Sequence, residues 1–104
     1  MKNNFPANNL IKAFLVPKTE KEMANFLRDL LTLDEISDFS RRLQVAEMLS
    51  KGISYKKIEE KTRMSSTTIA RIAKFFRGNF GGYRLVLDKK HHNSHLVVPA
   101  DSKL

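Results

Sequence analysis

Cysteine is absent from this chain of 104 residues. That excludes disulfides, a thiol nucleophile and a zinc–thiolate site. It also permits a reducing compartment, and a cytoplasmic location is expected. No apolar run approaches the length of a bilayer span, so no membrane partner is expected. The opening stretch MKNNFPANNLIKAFLVPK has neither a long apolar centre nor a small-residue cleavage site, and is expected to remain in the mature chain. Catalytic signatures are missing too: no phosphate-cradling glycine loop, no HExxH, no nucleophile–base pair. The acidic pairs Asp34-Glu35 and Glu59-Glu60 suit helix-start charge and surface solvation. The chain is therefore not read as an enzyme. It has no internal repeat, and its length fits a single domain, 1–104, with a modest core.

What the chain does have is positive charge, in one place. Residues 1–50 carry seven Lys/Arg against seven Asp/Glu, whereas 51–77 carry eight against two and 78–104 four against two. Most of the net +8 therefore lies within 27 residues. Localised positive charge is the electrostatic footprint of a polyanionic partner. A solvated basic face kept for solubility would show the same composition.

The same segment, SYKKIEEKTRMSSTTIARIAKFFR, carries two helical patterns with a short break between them. The first centres on Ile58. The second starts at Ser65 or Ser66 and runs to Arg77, with Ile69, Ile72, Ala73 and Phe76 on one apolar stripe. Helix, short link and second helix over 54–77 is the layout of a helix-turn-helix, whose second helix enters the DNA major groove. A stripe on that side leaves Thr67, Ala70, Arg71 and Lys74 facing out. Thr bonds several bases, Ala meets a thymine methyl, and Arg forks onto guanine. Ser66 and Thr68 stand at the helix start, where hydroxyls cap the helix or meet a phosphate. Lys56, Lys57, Lys74 and Arg77 are the expected phosphate contacts. An ordinary amphipathic hairpin with a capped second helix would share this pattern.

Residues 1–6 read as frayed. A first helix is expected from Ala7 to Val16, ended by Pro17. Thr19 with Glu22 forms a capping box for a second, backed by Met23, Phe26, Leu27, Leu30 and Leu31. Thr32 with Glu35 repeats the box and opens a third helix reaching about Lys51, where Gly52 stops it. That third helix is apolar around much of its girth and needs cover on several sides. Segment 7–51 is thus read as a set of dimerisation helices, because a chain this small would struggle to bury all seven of its phenylalanines at once, with simple exposure of some of these rings as the alternative. The expected architecture is all-α, with partners a second copy and double-stranded DNA. Past a turn-rich hinge at 78–82, Tyr83–Asp88 fits a short helix, with a strand as the alternative, and 89–104 reads as a tail. His91 and His95 would share a helical face, but Asn93-Ser94 weakens a helix there and no acid joins them, so no metal is expected.

These residues together resemble the Trp repressor superfamily, most closely its YerC/YecD-type branch. The likeness runs from about Leu30 to Leu87. It is carried by the LT-x-DE opening, Arg42, the Gly52 stop, the TIARI helix and, for the branch, GGYRLVLD. The resemblance implies an intertwined all-helical homodimer and a DNA-binding transcriptional regulator, expected to repress. It places Ile58, Met64, Ile69 and Ile72 where apolar residues lock the two helices. Glu59 stands where a small residue is common. Arg63 stands at the turn position that often holds glycine, so either its backbone is left-handed or the turn differs.

By the same resemblance, the groove-reading positions are Tyr55, Lys56, Ser66, Thr67, Thr68 and Ala70, with identities that imply a different operator. Thr32, Arg42 and Arg71 match positions that frame the repressor's bound amino acid. Ile72 and Phe75 replace small residues there, so tryptophan is not expected as corepressor and no cofactor is expected. Arg42 is expected in a core salt bridge and Arg71 on DNA phosphates, with another anionic ligand as the alternative. The rival function is a helical protein-interaction module presenting Phe75, Phe76 and Phe80. The sequence leaves open which small-molecule effector, if any, is bound.

Overall fold

The computed structural model describes residues 7–97, with side chains described as far as Lys89. The frayed start expected at 1–6, the end of the tail at 98–104, and the side chains of His91, His92 and His95 lie outside the described residues. Six helices follow in order: α1 Asn8–Phe14, α2 Glu20–Leu30, α3 Leu33–Ser50, α4 Tyr55–Thr62, α5 Ser66–Arg77 and α6 Gly82–Val97. Among the described residues there is no strand, and the fold is all-α as expected.

The single domain of the sequence reading divides into two compact units, Met1–Asp38 and Phe39–Leu104. In the first, α1 is shorter than the Ala7–Val16 expectation. The Leu15 and Val16 amides donate to Lys12 and Ala13 carbonyls at 3.1 Å each, tightening the last turn ahead of Pro17. Thr19 Oγ1 accepts from the Glu22 amide at 3.0 Å and caps α2. The returning Glu22 carboxylate accepts instead from the Lys18 amide, at 2.7 Å, one residue before the expected partner. At Thr32 the box closes in full: Thr32 Oγ1 accepts from the Glu35 amide at 3.0 Å, and Glu35 Oε1 from the Thr32 amide at 2.9 Å. The Phe14 and Phe26 rings meet edge to face, centroids 5.4 Å apart. Yet neither α1 nor α2 buries a residue.

The second unit has the core. Val45, Ala46, Ile58, Met64, Ile69, Ile72 and Leu87 form one buried cluster, edged by Leu43, Met48, Leu49, Ile53, Phe76 and Tyr83. Full burial of a Val, Ile or Leu side chain contributes about 1.5–3 kcal/mol, and Val45, Ile58, Ile69 and Leu87 are each sealed to within 1%. The second half of α3 belongs with the helix-turn-helix, because Val45 and Ala46 supply the floor on which Ile58 and Ile69 pack. Gly52, at φ +76, ends α3. Its amide donates to Leu49 and that of Ile53 to Met48, at 3.0 and 3.1 Å, the paired bonds of a Schellman stop.

The C-terminal helix is also longer than expected. The sequence reading gave it 83–88 and a tail from 89, but helix continues to Val97. No glycine or proline interrupts residues 83–98, and Asn and Ser cost a helix only a few tenths of a kcal/mol, up to about 0.7. Once Leu87 is anchored in the core, that penalty does not stop propagation.

Candidate nucleic-acid interface

The link between α4 and α5 follows Thr62, the last residue of α4 and the one buried polar residue among the described residues. Its hydroxyl donates to the Ile58 carbonyl at 2.8 Å and accepts from the Met64 amide at 3.2 Å. One side chain thereby satisfies both sides of the turn. Arg63 between them is left-handed, φ 63 and ψ 15, settling the alternative left open by the sequence. Met64 then plugs the core, and Ser65 Oγ caps α5 by accepting from the Thr68 amide at 3.1 Å. Ser54 caps α4 likewise, accepting from the Lys57 amide at 3.2 Å.

With both helices so fixed, the faces of α5 follow from its period of about 100° per residue. Ile69, Ile72 and Ala73 are buried, with Phe76 half-buried beside them. Thr67, Ala70, Arg71 and Lys74 occupy the opposite arc and are all exposed. Ser66 and Arg77 share one flank, both exposed. Arg77 donates to the Tyr55 hydroxyl at 3.4 Å, bringing the start of α4 and the end of α5 together. Thr68 lies on the other flank, half-buried, its hydroxyl accepting from that of Ser65 at 3.1 Å. Its place is in the helix cap rather than on the outward face.

Lys56 and Lys57 are exposed at the start of α4. Lys57 is two residues, about 200°, round from Tyr55. It lines a groove of about 700 Å³ between α3 and α4 with Gln44, Glu47, Lys51 and Lys61, away from the Tyr55–Arg77 contact. Tyr55, Lys56, Ser66, Thr67, Ala70, Arg71, Lys74 and Arg77 are all exposed, and the Tyr55–Arg77 bond joins the start of α4 to the end of α5.

Arg84 was not singled out by the sequence. Its guanidinium donates to the Phe76 carbonyl, and to the Gly78 carbonyl at 2.9 Å. It occupies the negative end of α5 and supplies the donors that its last carbonyls lack. The bond spans a loop whose course no local pattern reveals, so nothing in the sequence marked it. Thr62 left a faint signal, a hydroxyl at a helix end just before the turn.

The three amino-acid-framing positions are dispersed in role. Thr32, in the first unit, has its hydroxyl and amide in the α3 capping box. Arg42, in the second, is exposed rather than in the core expected for it, with its guanidinium carbon 5.6 Å from the Phe39 ring centroid. Arg71 is on the outward face of α5. Ile72 points into the core, while Phe75, half exposed, lines an apolar groove of about 470 Å³ with Leu43, Phe80, Tyr83 and Val86. Among the described residues, no cluster of His, Asp or Glu is arranged to hold a metal, and no helix is long and apolar enough to cross a membrane.

Residues 7–91 match the family described as Trp repressor protein. The uncharacterized protein YerC of Bacillus subtilis (strain 168) is 35% identical over 82 residues, 79% of each chain. A TrpR-like protein from Eubacterium eligens ATCC 27750, solved by crystallography, superposes with a TM-score of 0.76 at 35% identity, over 86% of this chain and 94% of that one. A candidate Trp repressor from Staphylococcus aureus gives 0.74 at 35% identity, over 81% and 84%.

Proposed function

The chain belongs to the Trp repressor family, a family of helical DNA-binding regulators, and from that premise we propose that it is a sequence-specific transcriptional repressor acting as a homodimer on double-stranded DNA in the cytoplasm. One observation carries the reading. The isoleucine seam of α5 is buried while Thr67, Ala70, Arg71 and Lys74 are exposed together on the opposite arc. Arg71, Ala70 and Thr67 read base edges, with Ser66 at the helix start. Lys56, Lys74 and Arg77 take phosphates, and Tyr55 steadies Arg77. Lys57 contributes from the neighbouring groove at longer range.

The dimer is supported by what the first unit leaves uncovered. Leu10, Ile11 and Leu30, on helices with no buried residue, and Leu15 and Val16 just past the end of α1 are each at least 42% exposed. Apolar stripes of that kind need a partner surface. Two copies place two reading helices on two half-sites, as helix-turn-helix dimers do.

Tryptophan has no part in this reading. Supporting that, Phe75 puts an aromatic ring where the family's pocket has a small hydroxyl, and Thr32 has its hydroxyl in a helix cap. The reading involves no catalysis. A protein-interaction module is the second reading, favoured by Phe80, which lines the apolar groove and is 90% exposed.

The test is a mobility-shift titration on duplexes selected from the host genome and on random duplexes, at low and moderate salt, with sedimentation to count protomers. Specific complexes with two protomers, weakening steeply as salt rises, are expected. A chain that shifts no duplex even at low salt leaves the interaction module as the better account.

A further inference from the structure

We propose that Arg63, in the turn between α4 and α5, is an additional phosphate contact, its guanidinium binding a backbone phosphodiester beside the start of the reading helix. The inference rests on the DNA-binding reading above.

Arg63 is the only non-glycine residue with positive φ among the described residues. A left-handed backbone crowds any Cβ against the next carbonyl, and glycine is free of that penalty. Arg63 is therefore held at a conformational cost. The fold gives no return for it. The turn's internal bond from this residue, its amide to the Glu59 carbonyl at 2.9 Å, is backbone only and open to glycine. Thr62 and Met64, on either side, are buried and do the packing, while Arg63 is exposed. Its guanidinium has no hydrogen bond, ion pair or ring contact with any other described residue. Strained positions of this kind cluster at functional sites.

Location supplies the chemistry. Arg63 directly precedes the two residues that seat α5, Met64 in the core and Ser65 at the cap. Exposed Ser66 and Thr67 follow at once. A planar cation flanking the amide-rich start of a helix faces whatever anion that helix approaches. Guanidinium forks match phosphate geometry bidentately. Exposure at the turn directs Arg63 to the sugar-phosphate edge rather than the base edges, so it adds affinity and leaves sequence choice to Arg71, Ala70 and Thr67.

Four proteins decide it: wild type, R63G, R63N and R63K, each melted and each titrated onto the selected duplex at two salt concentrations. R63G and R63N suit a left-handed backbone, so both should melt no lower than wild type, while binding DNA more weakly. Each phosphate contact adds about 0.9 to the salt slope. The advantage of wild type over R63G and R63N should therefore shrink by about 3.5-fold per protomer when salt rises fourfold. R63K, with the charge and the strain, should keep the wild-type slope. R63N with wild-type affinity and slope, while wild type itself binds duplex DNA, overturns the role of Arg63 and leaves the DNA-binding reading intact. R63K losing as much as R63N also overturns it, since the charge would then be irrelevant. Wild type that fails to bind any duplex overturns both.

Discussion

Tyr55 and Arg77 are 22 residues apart in the chain and joined by a hydrogen bond of 3.4 Å from guanidinium to phenol. Tyr55 is the first residue of α4 and Arg77 the last of α5. The contact ties the open end of the two-helix pair, as the Thr62 bridge ties its turn. It is long and exposed, so its contribution lies in aim more than in stability.

Tyr55→Phe should accordingly shift unfolding by less than about 0.5 kcal/mol, measured by urea denaturation. Its salt slope for DNA should stay at the wild-type value. Arg77→Ala should reduce that slope by about 0.9 per protomer. An equal slope change in both variants would mean that Arg77 reaches phosphate only through Tyr55.

Thr62→Val removes a hydroxyl with almost no change of shape and leaves the Met64 amide without the partner it now has at 3.2 Å. A buried unsatisfied donor costs about 1–3 kcal/mol, and that loss should appear in the denaturation midpoint. Thr62→Ser keeps the hydroxyl and should retain most of the stability. If valine and serine lose alike, the methyl matters rather than the bridge.

Arg71→Ala should weaken binding to the selected duplex by about 1–3 kcal/mol and relax preference at one base position. Lys74→Ala should weaken selected and random duplexes alike and lower the salt slope. Competition titrations with both DNAs separate the two, and matching losses on both would refute the division of roles.

Arg84→Ala removes the guanidinium from the Phe76 and Gly78 carbonyls. Because these groups are exposed, the loss should sit near the low end of charged hydrogen bonds, about 1–2 kcal/mol. Amide exchange should show the last turn of α5 fraying before its first. Uniform loss of protection along α5 would place the effect of Arg84 elsewhere.

Much of this protein was legible before any coordinate, wherever the governing interaction is local. Thr19, Thr32 and Ser65 each bond an amide three residues ahead, so spacing alone locates these helix starts. Gly52 reads as a stop because its backbone conformation disfavours other residues. The α5 stripe follows from a helical period, and with it the exposed arc of Thr67, Ala70, Arg71 and Lys74. Charge localisation is a property of composition and needs no fold.

Tertiary structure decided the rest. The Asn93-Ser94 stretch reads as a tail by propensity, yet helix runs through it to Val97, since Leu87 anchored in the core holds the segment that propagates. Arg42 and Lys57 carry charges that suit several partners, and packing alone put one over Phe39 and the other in the α3–α4 groove. Arg84 and the Tyr55–Arg77 bond join residues across loops, where the chain's course depends on how distant apolar side chains share one interior. Short-range hydrogen bonding and periodicity are written in the order of residues, whereas which far-separated groups meet is fixed only when the core closes.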